Sequence, residues 1–379
     1  MPGDALAPAP PIVAVAAVGD PESPATWSGT SLGILRGLRE LGVATDAVDL
    51  TFARGLEQAV LAAGAISTRN RFDAHGAALS MSMRGLLAKR RLGPSAGVIQ
   101  IGTTFALPQA TNYVTLEDMT LRQACAIHPV FSRMSAQGVR SWERRRASIY
   151  AGARMCAVSS HWAAGSLASD YGVAPERIAV VGLGSNHDVA TDAVKRDGPP
   201  RFLFVGIDWE RKGGPVLLRA FARVRRAHPD ATLDLVGGHP PVDQEGVRAH
   251  GVLSLQHPAD RDLMAELFVT ASCLVVPSLM EPFGIVYLEA ASAGIPSIVG
   301  SEGGAREAIG ADGGLVVAPG DEKGLEQAML RLTDSATARR MGDAARERSA
   351  LYTWPKVAER LLRALGLSAP DGRALAEFL

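Results

Sequence analysis

Two glutamates eight residues apart, Glu281 and Glu289, are the side chains whose type and spacing are best suited to chemistry. A short apolar run before them reads as a buried parallel strand that ends at Ser278. The chain then turns into a helix that we expect to start near Phe283 or Gly284. One carboxylate therefore lies just before the helix and the other on it, up to roughly 12 Å apart.

This spacing matches the distance from the sugar ring to the ribose of a sugar-diphosphate nucleotide. Glu281 would accept hydrogen bonds from sugar hydroxyls, and Glu289 would bind the ribose hydroxyls. Between them, free N–H groups and the positive end of the helix dipole suit a diphosphate. The amides that would lie near phosphate are those of Phe283, Gly284 and Ile285. Taken alone, however, two glutamates at this spacing are common on solvated helices.

A second feature is the pair Arg211 and Lys212, within the segment FVGIDWERKGG. A strand is predicted to end at Gly206 and a helix to begin near Gly214, so the two cations lie at a strand-to-helix junction. Open parallel sheets bind ligands at such junctions, and two cations there can neutralise a diphosphate. In isolation, an Arg-Lys pair is ordinarily a solvated surface pair.

The segment EPFGIVYLE followed by AASAGIP resembles the E-x7-E signature of retaining glycosyltransferases with the GT-B fold, in particular the family-four group. In that family the first Glu contacts the donor sugar and the second the ribose. Lys212-Gly213 matches half of the family's Gly-Arg…Lys-Gly segment, but Ile207 stands where the family has Arg, so we expect Arg211 to replace it. GSEGGAREAI and GGLVVAPGD resemble further family segments, in the family's order.

Short apolar strands alternate twice with amphipathic helices, which predicts an α/β protein with two doubly wound parallel sheets. Among these elements are a helical stretch at 120–150 and a strand at 251–255. The resemblance implies a GT-B fold, in which two Rossmann-like domains face a cleft and the last helix crosses back to the first domain. We expect an N-terminal acceptor-binding domain at 1–190 and a nucleotide-sugar-binding domain at 191–355. Residues 356–379 would be the returning helix and tail. The polar segment Ser185 to Arg201 is the expected linker, and residues 1–11 an arm.

The first domain offers weaker candidates. Gly29 and Thr30 precede a predicted helix, and the resemblance suggests that they approach donor phosphate or acceptor from across the cleft. The alternative is that Ser28-Gly29-Thr30 is an ordinary helix N-cap. Asp118 and Thr120 follow a predicted strand and are the acceptor-side candidates. Relatives carry His-Asp or a lone Asp near here, and Glu117 departs from that pattern.

The charge composition limits the classes of binding partner that the sequence favours. The 379 residues carry no formal net charge and the pI is about 7.1, so no global field would attract nucleic acid or an anionic membrane. Arg140 to Arg154, with Arg90 and Arg91, could form a basic patch that contacts a membrane or an acceptor phosphate; a solvated face is the alternative. The acidic pair Asp260 and Asp262 opens a predicted helix, which capping explains, so we expect no metal site and no cofactor. With no targeting segment evident, a cytoplasmic location is expected.

The resemblance implies a metal-independent, retaining hexosyltransferase that uses a nucleotide-diphosphate sugar as co-substrate. The acceptor would be a small molecule, such as a natural product, or a saccharide. Three alternatives stay open: a lipid-linked acceptor at a membrane, a nucleotide-sugar epimerase with the same fold, and a donor-binding protein without catalysis. The sequence does not identify the nucleotide, the sugar, the acceptor or the oligomeric state.

Overall fold

A computed structural model describes residues 12–127, 131–186, 198–254, 256–369 and 372–379. The predicted arm at 1–11 and residues 187–197 of the predicted linker lie outside this part of the chain. Two compact units are present. The first comprises the described residues up to Leu183 together with Trp354–Leu379, and the second comprises Gly184–Thr353. Each unit contains one parallel six-stranded sheet with helices, which confirms the predicted α/β class with two Rossmann-like sheets.

The first sheet has the strand order β2-β1-β3-β4-β5-β6. Its central strands are buried at every residue because helices cover both faces. The strands are β1 (Ile12–Ala17), β2 (Ala44–Asp49), β3 (Gly97–Ile101), β4 (Tyr113–Glu117), β5 (Met155–Val158) and β6 (Ile178–Val180). The helices are α1 (Thr30–Glu40), α2 (Arg54–Thr68), α3 (Ala78–Arg91), α4 (Leu121–Ile127), α5 (Ala136–Gly152) and α6 (His161–Tyr171).

The second sheet has the order β12-β11-β10-β7-β8-β9. Its strands are β7 (Arg201–Gly206), β8 (Thr232–Gly237), β9 (Val247–Gly251), β10 (Cys273–Val276), β11 (Ser297–Gly300) and β12 (Gly314–Val317). Its helices are α7 (Gly214–Ala227), α8 (Pro258–Thr270), α9 (Ile285–Ser292), α10 (Ala305–Ile309), α11 (Glu322–Arg331) and α12 (Ser335–Ser349). Because β7 and β10 are parallel neighbours, the loops that follow them leave the sheet side by side.

At the edge of the second sheet, one predicted strand is wrong. The apolar run at 251–255 suggested a strand there, but β9 is formed by the preceding segment VRAHG. An edge strand has one neighbour and is partly open to water, so it tolerates polar side chains such as exposed Arg248. Val252, taken from the apolar run, is 66% exposed. Hydrophobicity alone therefore pointed to the wrong residues.

The last helix, α13 (Trp354–Leu365), belongs to the first unit and packs on α1. Two glycines of α1 make the close approach possible, because a Cβ atom on Gly33 would collide with the Trp354 ring and one on Gly37 with the Trp354 backbone. On α13 itself, side chains such as those of Val357 and Leu361 are fully buried. The Asn112 side chain donates to the Leu365 carbonyl oxygen at 3.1 Å, which ties the helix end to the first sheet.

Candidate functional site

The loop between β10 and α9 is shaped by Gly284. Its φ of +85° is a left-handed value that L side chains rarely adopt, and an added Cβ would collide with the Tyr287 ring. Tyr287 in turn donates its hydroxyl hydrogen to the Val276 carbonyl oxygen at 2.9 Å, which ties the first turn of α9 to the end of β10. The helix begins at Ile285, next to the position expected from the sequence.

The backbone of Glu281 is held by the segment that follows β11. Its N–H donates to the Glu302 carbonyl oxygen at 3.0 Å, and its own carbonyl accepts from the Gly304 N–H at 2.9 Å. Gly303 lies between these contacts with a φ of +101°, and a Cβ there would collide with the Glu281 carbonyl oxygen. Gly303 of the GSEGGAREAI segment therefore has a physical reason, which is the close approach of two backbones at Glu281.

Arg211 and Lys212 are held on a turn, residues 207–213, that follows β7. The Lys212 N–H donates to the Asp208 carbonyl oxygen at 2.9 Å, and the Leu279 N–H donates to the Arg211 carbonyl oxygen at 2.8 Å. Gly213 ends this turn at a φ of +78°, where a Cβ would collide with the Pro277 carbonyl oxygen. Contacts between the two loops thus bring the predicted cations beside the predicted carboxylate.

Both cations converge on the Glu281 carboxylate. Lys212 Nζ forms an ion pair with Oε2, and Arg211 Nη1 lies 3.5 Å from the same oxygen. Ser278, which sequence reasoning did not single out, donates its hydroxyl hydrogen to Oε2 at 3.2 Å. Burial alone would raise the pKa of Glu281, but Lys212 and Arg211, with the Lys212 and Ser278 hydrogen bonds, hold it below its ordinary value. Glu281 is therefore an ionised acceptor at neutral pH.

Glu289 lies in a different environment, within α9 and 7% exposed. Burial raises the pKa of its carboxyl to about 7, and the charge of Lys212 offsets part of that rise. One ammonium thus acts on both glutamates of the predicted pair. The two carboxylates differ in protonation, since Glu281 stays charged while Glu289 changes its charge near neutral pH.

The N-terminus of α9 completes the site in the second unit. The Phe283 side chain is buried, with its ring centroid 5.7 Å from that of Tyr352, so its backbone and not its ring is available to a ligand. The described residues provide no side-chain cap for α9. A helix N-terminus beside two cations and one carboxylate is net positive, which suits a diphosphate.

In the first unit, Glu117 is engaged in a buried polar cluster. It accepts hydrogen bonds from Thr103 Oγ1 at 2.8 Å and from the Tyr150 hydroxyl, and Arg146 Nη1 lies 3.2 Å from its Oε1. Burial and the Glu117 charge both raise the pKa of Tyr150 well above its ordinary value. Glu117 is thus a structural anion at the end of β4. The sequence did not reveal this, because the partners Arg146 and Tyr150 lie on α5, well separated along the chain.

The acceptor-side candidates differ in exposure. Asp118 is half-buried just after β4. The Thr120 hydroxyl is buried and lies 2.7 Å from Ser166 Oγ, while its backbone N–H donates to Gln123 Oε1 at 3.0 Å. A hydrogen bond from this backbone N–H to a side chain three residues later is typical of a helix start, so Thr120 shapes the beginning of α4.

Gly29 and Thr30 stand at the start of α1 as predicted, and both are buried. Gly29 is the N-cap residue at a φ of +82°, as the N-cap alternative expects, and no side chain makes a capping hydrogen bond there. Trp27 and Ser28 also have positive φ, at 49° and 53°. Three successive left-handed residues form a strained turn here.

The basic segment at 140–154 does not form one charged face. Arg146 is buried against Glu117, and Arg145 donates to the Gly76 carbonyl oxygen. Burial lowers the pKa of Arg145, with the charge of Arg144 adding to the effect. Only part of the predicted patch, including Arg140 and Arg144, is exposed.

Among the described residues, no group of three or more His, Cys, Asp or Glu side chains has a metal-binding arrangement. No helix in that part of the chain is both long enough and apolar enough to cross a bilayer.

Comparison with known families gives a match within the second unit. Residues 199–335 match the family model described as glycosyl transferases group 1. Glycogen synthase of Mycobacterium tuberculosis is 38% identical over 172 residues, which cover 43% of this chain and 41% of that protein. D-inositol 3-phosphate glycosyltransferase of Corynebacterium diphtheriae is 27% identical over 231 residues, which cover 54% and 53%. The chain therefore spans about half, or less, of the length of these curated relatives.

Two solved structures share the fold across nearly the whole chain. Sucrose-phosphate synthase from Thermosynechococcus elongatus aligns with a TM-score of 0.66 at 20% identity, covering 93% of this chain and 98% of that one. WaaG, a glycosyltransferase involved in lipopolysaccharide biosynthesis, aligns at 0.63 with 17% identity, covering 92% and 99%. These two structures confirm the predicted fold with two Rossmann-like sheets, and the family match at 199–335 confirms the resemblance to glycosyltransferases over that segment.

Proposed function

Because residues 199–335 are a glycosyl transferases group 1 domain, we propose that this chain moves a hexose-type sugar from a nucleotide-diphosphate donor to an acceptor hydroxyl. The acceptor is a small molecule or a saccharide, and the transfer retains anomeric configuration without a metal ion. The observation that carries the proposal is the convergence of Lys212 and Arg211 on Glu281 beside the N-terminus of α9.

In this mechanism the two cations act on the leaving group. As the bond from the sugar to the diphosphate breaks, negative charge grows on the departing phosphate oxygen. Lys212 and Arg211 are fixed by the turn after β7, so they can stabilise that charge without reorganising. The α9 N-terminus adds its partial positive charge. We propose that these groups, and not a metal ion, neutralise the diphosphate.

Glu281 orients the sugar in the proposed mechanism. A carboxylate with a lowered pKa remains an acceptor, so it binds sugar hydroxyls and is a weak base. The acceptor's proton then passes to the leaving phosphate oxygen on the face where the new bond from the acceptor oxygen to the sugar carbon forms. Both bonds lie on one face of the ring, which gives retention. Glu289 binds the ribose hydroxyls.

The relatives support a polar acceptor, since one is named for D-inositol 3-phosphate and another for glycogen. A polyol or saccharide hydroxyl is therefore the first acceptor class to screen. Two alternatives make different predictions. An epimerase would convert the donor in the absence of any acceptor, and a donor-binding protein would shift in melting temperature without turnover.

A donor panel tests the proposal directly. A ligand that binds only the folded protein raises its melting temperature. We expect one of the UDP-, GDP-, ADP- or dTDP-sugars to raise it equally with and without EDTA. The product of transfer should carry the donor's anomeric configuration by NMR. A shift abolished by EDTA would refute the metal-independent site, and an inverted product would refute retention.

Substitution of Lys212 tests the assignment of the cations. Lys212→Ala should lower kcat/KM by about 100-fold or more, because it removes charge stabilisation needed in the transition state. Arg211 and Ser278 still contact Glu281, so the fold should persist, as a melting curve can verify. Lys323→Ala, at an exposed lysine of α11, is the matched control. Turnover like that of the unmodified enzyme in Lys212→Ala would remove this residue from the mechanism.

A further inference from the structure

Trp27, in the loop between β1 and α1, has the most open aromatic side chain of the described residues. It is 37% exposed, whereas every other Trp, Tyr and Phe that the structure describes is buried or half-buried. Aromatic side chains carry a large apolar area, so one left in water forgoes stabilisation that burial would provide. A single exposed apolar residue is ordinary on a protein surface, but the backbone and the seat of this indole are not.

The backbone of Trp27 is strained. Its φ of 49° and ψ of 43° are left-handed values that a bulky residue rarely adopts, and Ser28 follows at a φ of 53°. The surroundings hold this turn, since the Trp27 carbonyl oxygen accepts from the Thr30 N–H and Thr26 is buried against Gly19. Strained residues held in this way cluster at ligand-binding sites. The fold thus gives up backbone stability to place an indole where water reaches it.

The indole rests on Gly102, which follows β3. Gly102 has a φ of +73°, and a Cβ atom there would lie 2.6 Å from Cζ2 of the Trp27 ring. The glycine is itself fixed to β4, because its N–H donates to the Leu116 carbonyl oxygen at 2.9 Å and the next residue, Thr103, donates to the Glu117 carboxylate at 2.8 Å. One end of the ring therefore has a rigid support, while the exposed part is available to a ligand.

The supported indole stands near Asp118, one of the acceptor-side candidates. Trp27 lies in the loop after β1, Gly102 follows β3 and Asp118 follows β4, and these three strands are adjacent in the first sheet. The carboxyl ends of parallel strands meet at one edge of a sheet, where open α/β sheets bind ligands. Half-buried Asp118 is two residues beyond Leu116, about 7 Å of extended chain. An aromatic ring and a carboxylate are thus close enough to contact one six-membered ring.

This pair of groups matches the two sides of a cyclic polyol. A sugar or cyclitol ring has a face of C–H bonds with partial positive charge, which packs on the negative face of an aromatic ring. Its hydroxyls lie around the edge and donate to a carboxylate, which accepts only. An open-chain alcohol has the hydroxyls but presents no flat apolar face.

We propose that Trp27 is the platform on which the acceptor stacks, with Asp118 accepting hydrogen bonds from its hydroxyls, and that the acceptor is a saccharide or cyclitol. This inference rests on the proposed sugar transfer and narrows its acceptor to a ring with one open C–H face. Trp27 is in this sense a specificity-determining residue, since it selects rings over flexible alcohols.

Saturation-transfer NMR on the full chain, without any donor, tests the platform. The probes are D-glucose, maltose, myo-inositol and glycerol, and we expect transfer to the C–H protons of at least one cyclic probe and none to glycerol. Trp27→Leu should weaken that binding by about fivefold or more, because leucine is apolar but has no aromatic face. Trp27→Phe keeps the face and should bind nearly as the unmodified protein does. Both variants carry the same left-handed strain, so their melting temperatures should agree.

Steady-state kinetics with the cyclic probe as acceptor give the second readout. Trp27→Leu should raise the KM for the acceptor and leave the KM for the donor unchanged, whereas Ile66→Ala, which truncates an exposed side chain on α2, should change neither. The proposal fails if no cyclic probe binds, or if Trp27→Phe and Trp27→Leu lose binding equally, since the ring would then only cover Gly102. It fails as well if the KM for the donor rises instead, which would make Trp27 a nucleobase platform.

The two proposals can fail separately. Binding of a cyclic probe that depends on Trp27, with no transfer from any nucleotide sugar, would refute the proposed function and leave a saccharide site at Trp27. Transfer to a cyclic acceptor with an unchanged KM in Trp27→Leu would refute the platform and leave the proposed function standing.

Discussion

At the scale of single residues, the second unit holds two glutamates in opposite electrostatic states. Lys212 and Arg211 keep Glu281 ionised, whereas burial in α9 raises the pKa of Glu289 to about 7. The sequence predicted the pair and its cations, because the residue types and their order are visible in it. It did not predict the difference in pKa, which depends on how deeply each carboxyl is buried.

Glu289 should make stability depend on pH in a defined direction. Its folded-state pKa of about 7 is raised above the ordinary 4.5, so the folded state binds the proton more tightly than the unfolded state. Stability from this group is therefore present at low pH and is lost as pH rises from about 5 to 7. The change amounts to about 3 kcal/mol at most.

Comparison with Glu289→Gln isolates this effect. The amide does not titrate, so the melting temperature of the unmodified protein relative to the variant should fall across that pH range. Glu347→Gln, at an exposed position of α12, should leave the pH profile unchanged. A difference between the unmodified protein and Glu289→Gln that is flat with pH would show that Glu289 is not protonated in the folded state.

At the scale of elements, the site depends on loops that glycine allows to touch. Gly213, Gly284 and Gly303 all have positive φ, and each has no room for a side chain because backbone or a buried ring lies against it. The glycine-rich segments were visible in the sequence as a family resemblance. The sequence did not show why glycine is needed there, because that depends on residues 302–304 running beside Glu281.

Gly303→Ala should damage both stability and activity. Gly320 is a matched control, since its φ of +74° is also positive but nothing lies within 4 Å of an added Cβ. Gly320→Ala should therefore cost only about 1–2 kcal/mol of left-handed strain. Gly303→Ala should cost about 3 kcal/mol or more and displace Glu281, with turnover falling by about 100-fold. Chemical denaturation and kinetics would measure both, and equal losses in the two variants would mean that strain alone matters.

At the scale of the whole molecule, two compact units are built from three stretches of chain. The alternation of strands and helices predicted both sheets well, because buried parallel strands leave near-continuous apolar runs. The prediction was wrong at β9, where an edge strand is polar, and it joined helices that the structure separates, such as α4 and α5.

The return of the chain to the first unit predicts where instability will appear. Leu361 of α13 and Leu325 of α11 are both completely buried, one in each unit. Each change to Ala should cost about 2–5 kcal/mol. Limited proteolysis of Leu361→Ala should release peptides from residues 12–183, although the substitution lies near the C-terminus. Leu325→Ala should instead release peptides from 184–353, and the same peptides from both variants would contradict the division into units.

The packing of α13 on the first unit also determines when contacts of that unit can form during biosynthesis. Asn112 and its partner Leu365 are 253 residues apart, so the ribosome must make the whole second unit before that contact can form. At about 5–20 residues per second, the interval is on the order of ten to fifty seconds. During this interval the groove around Gly33, which later receives Trp354, is open to water. The nascent first unit should therefore expose this apolar surface until the last helix emerges from the ribosome.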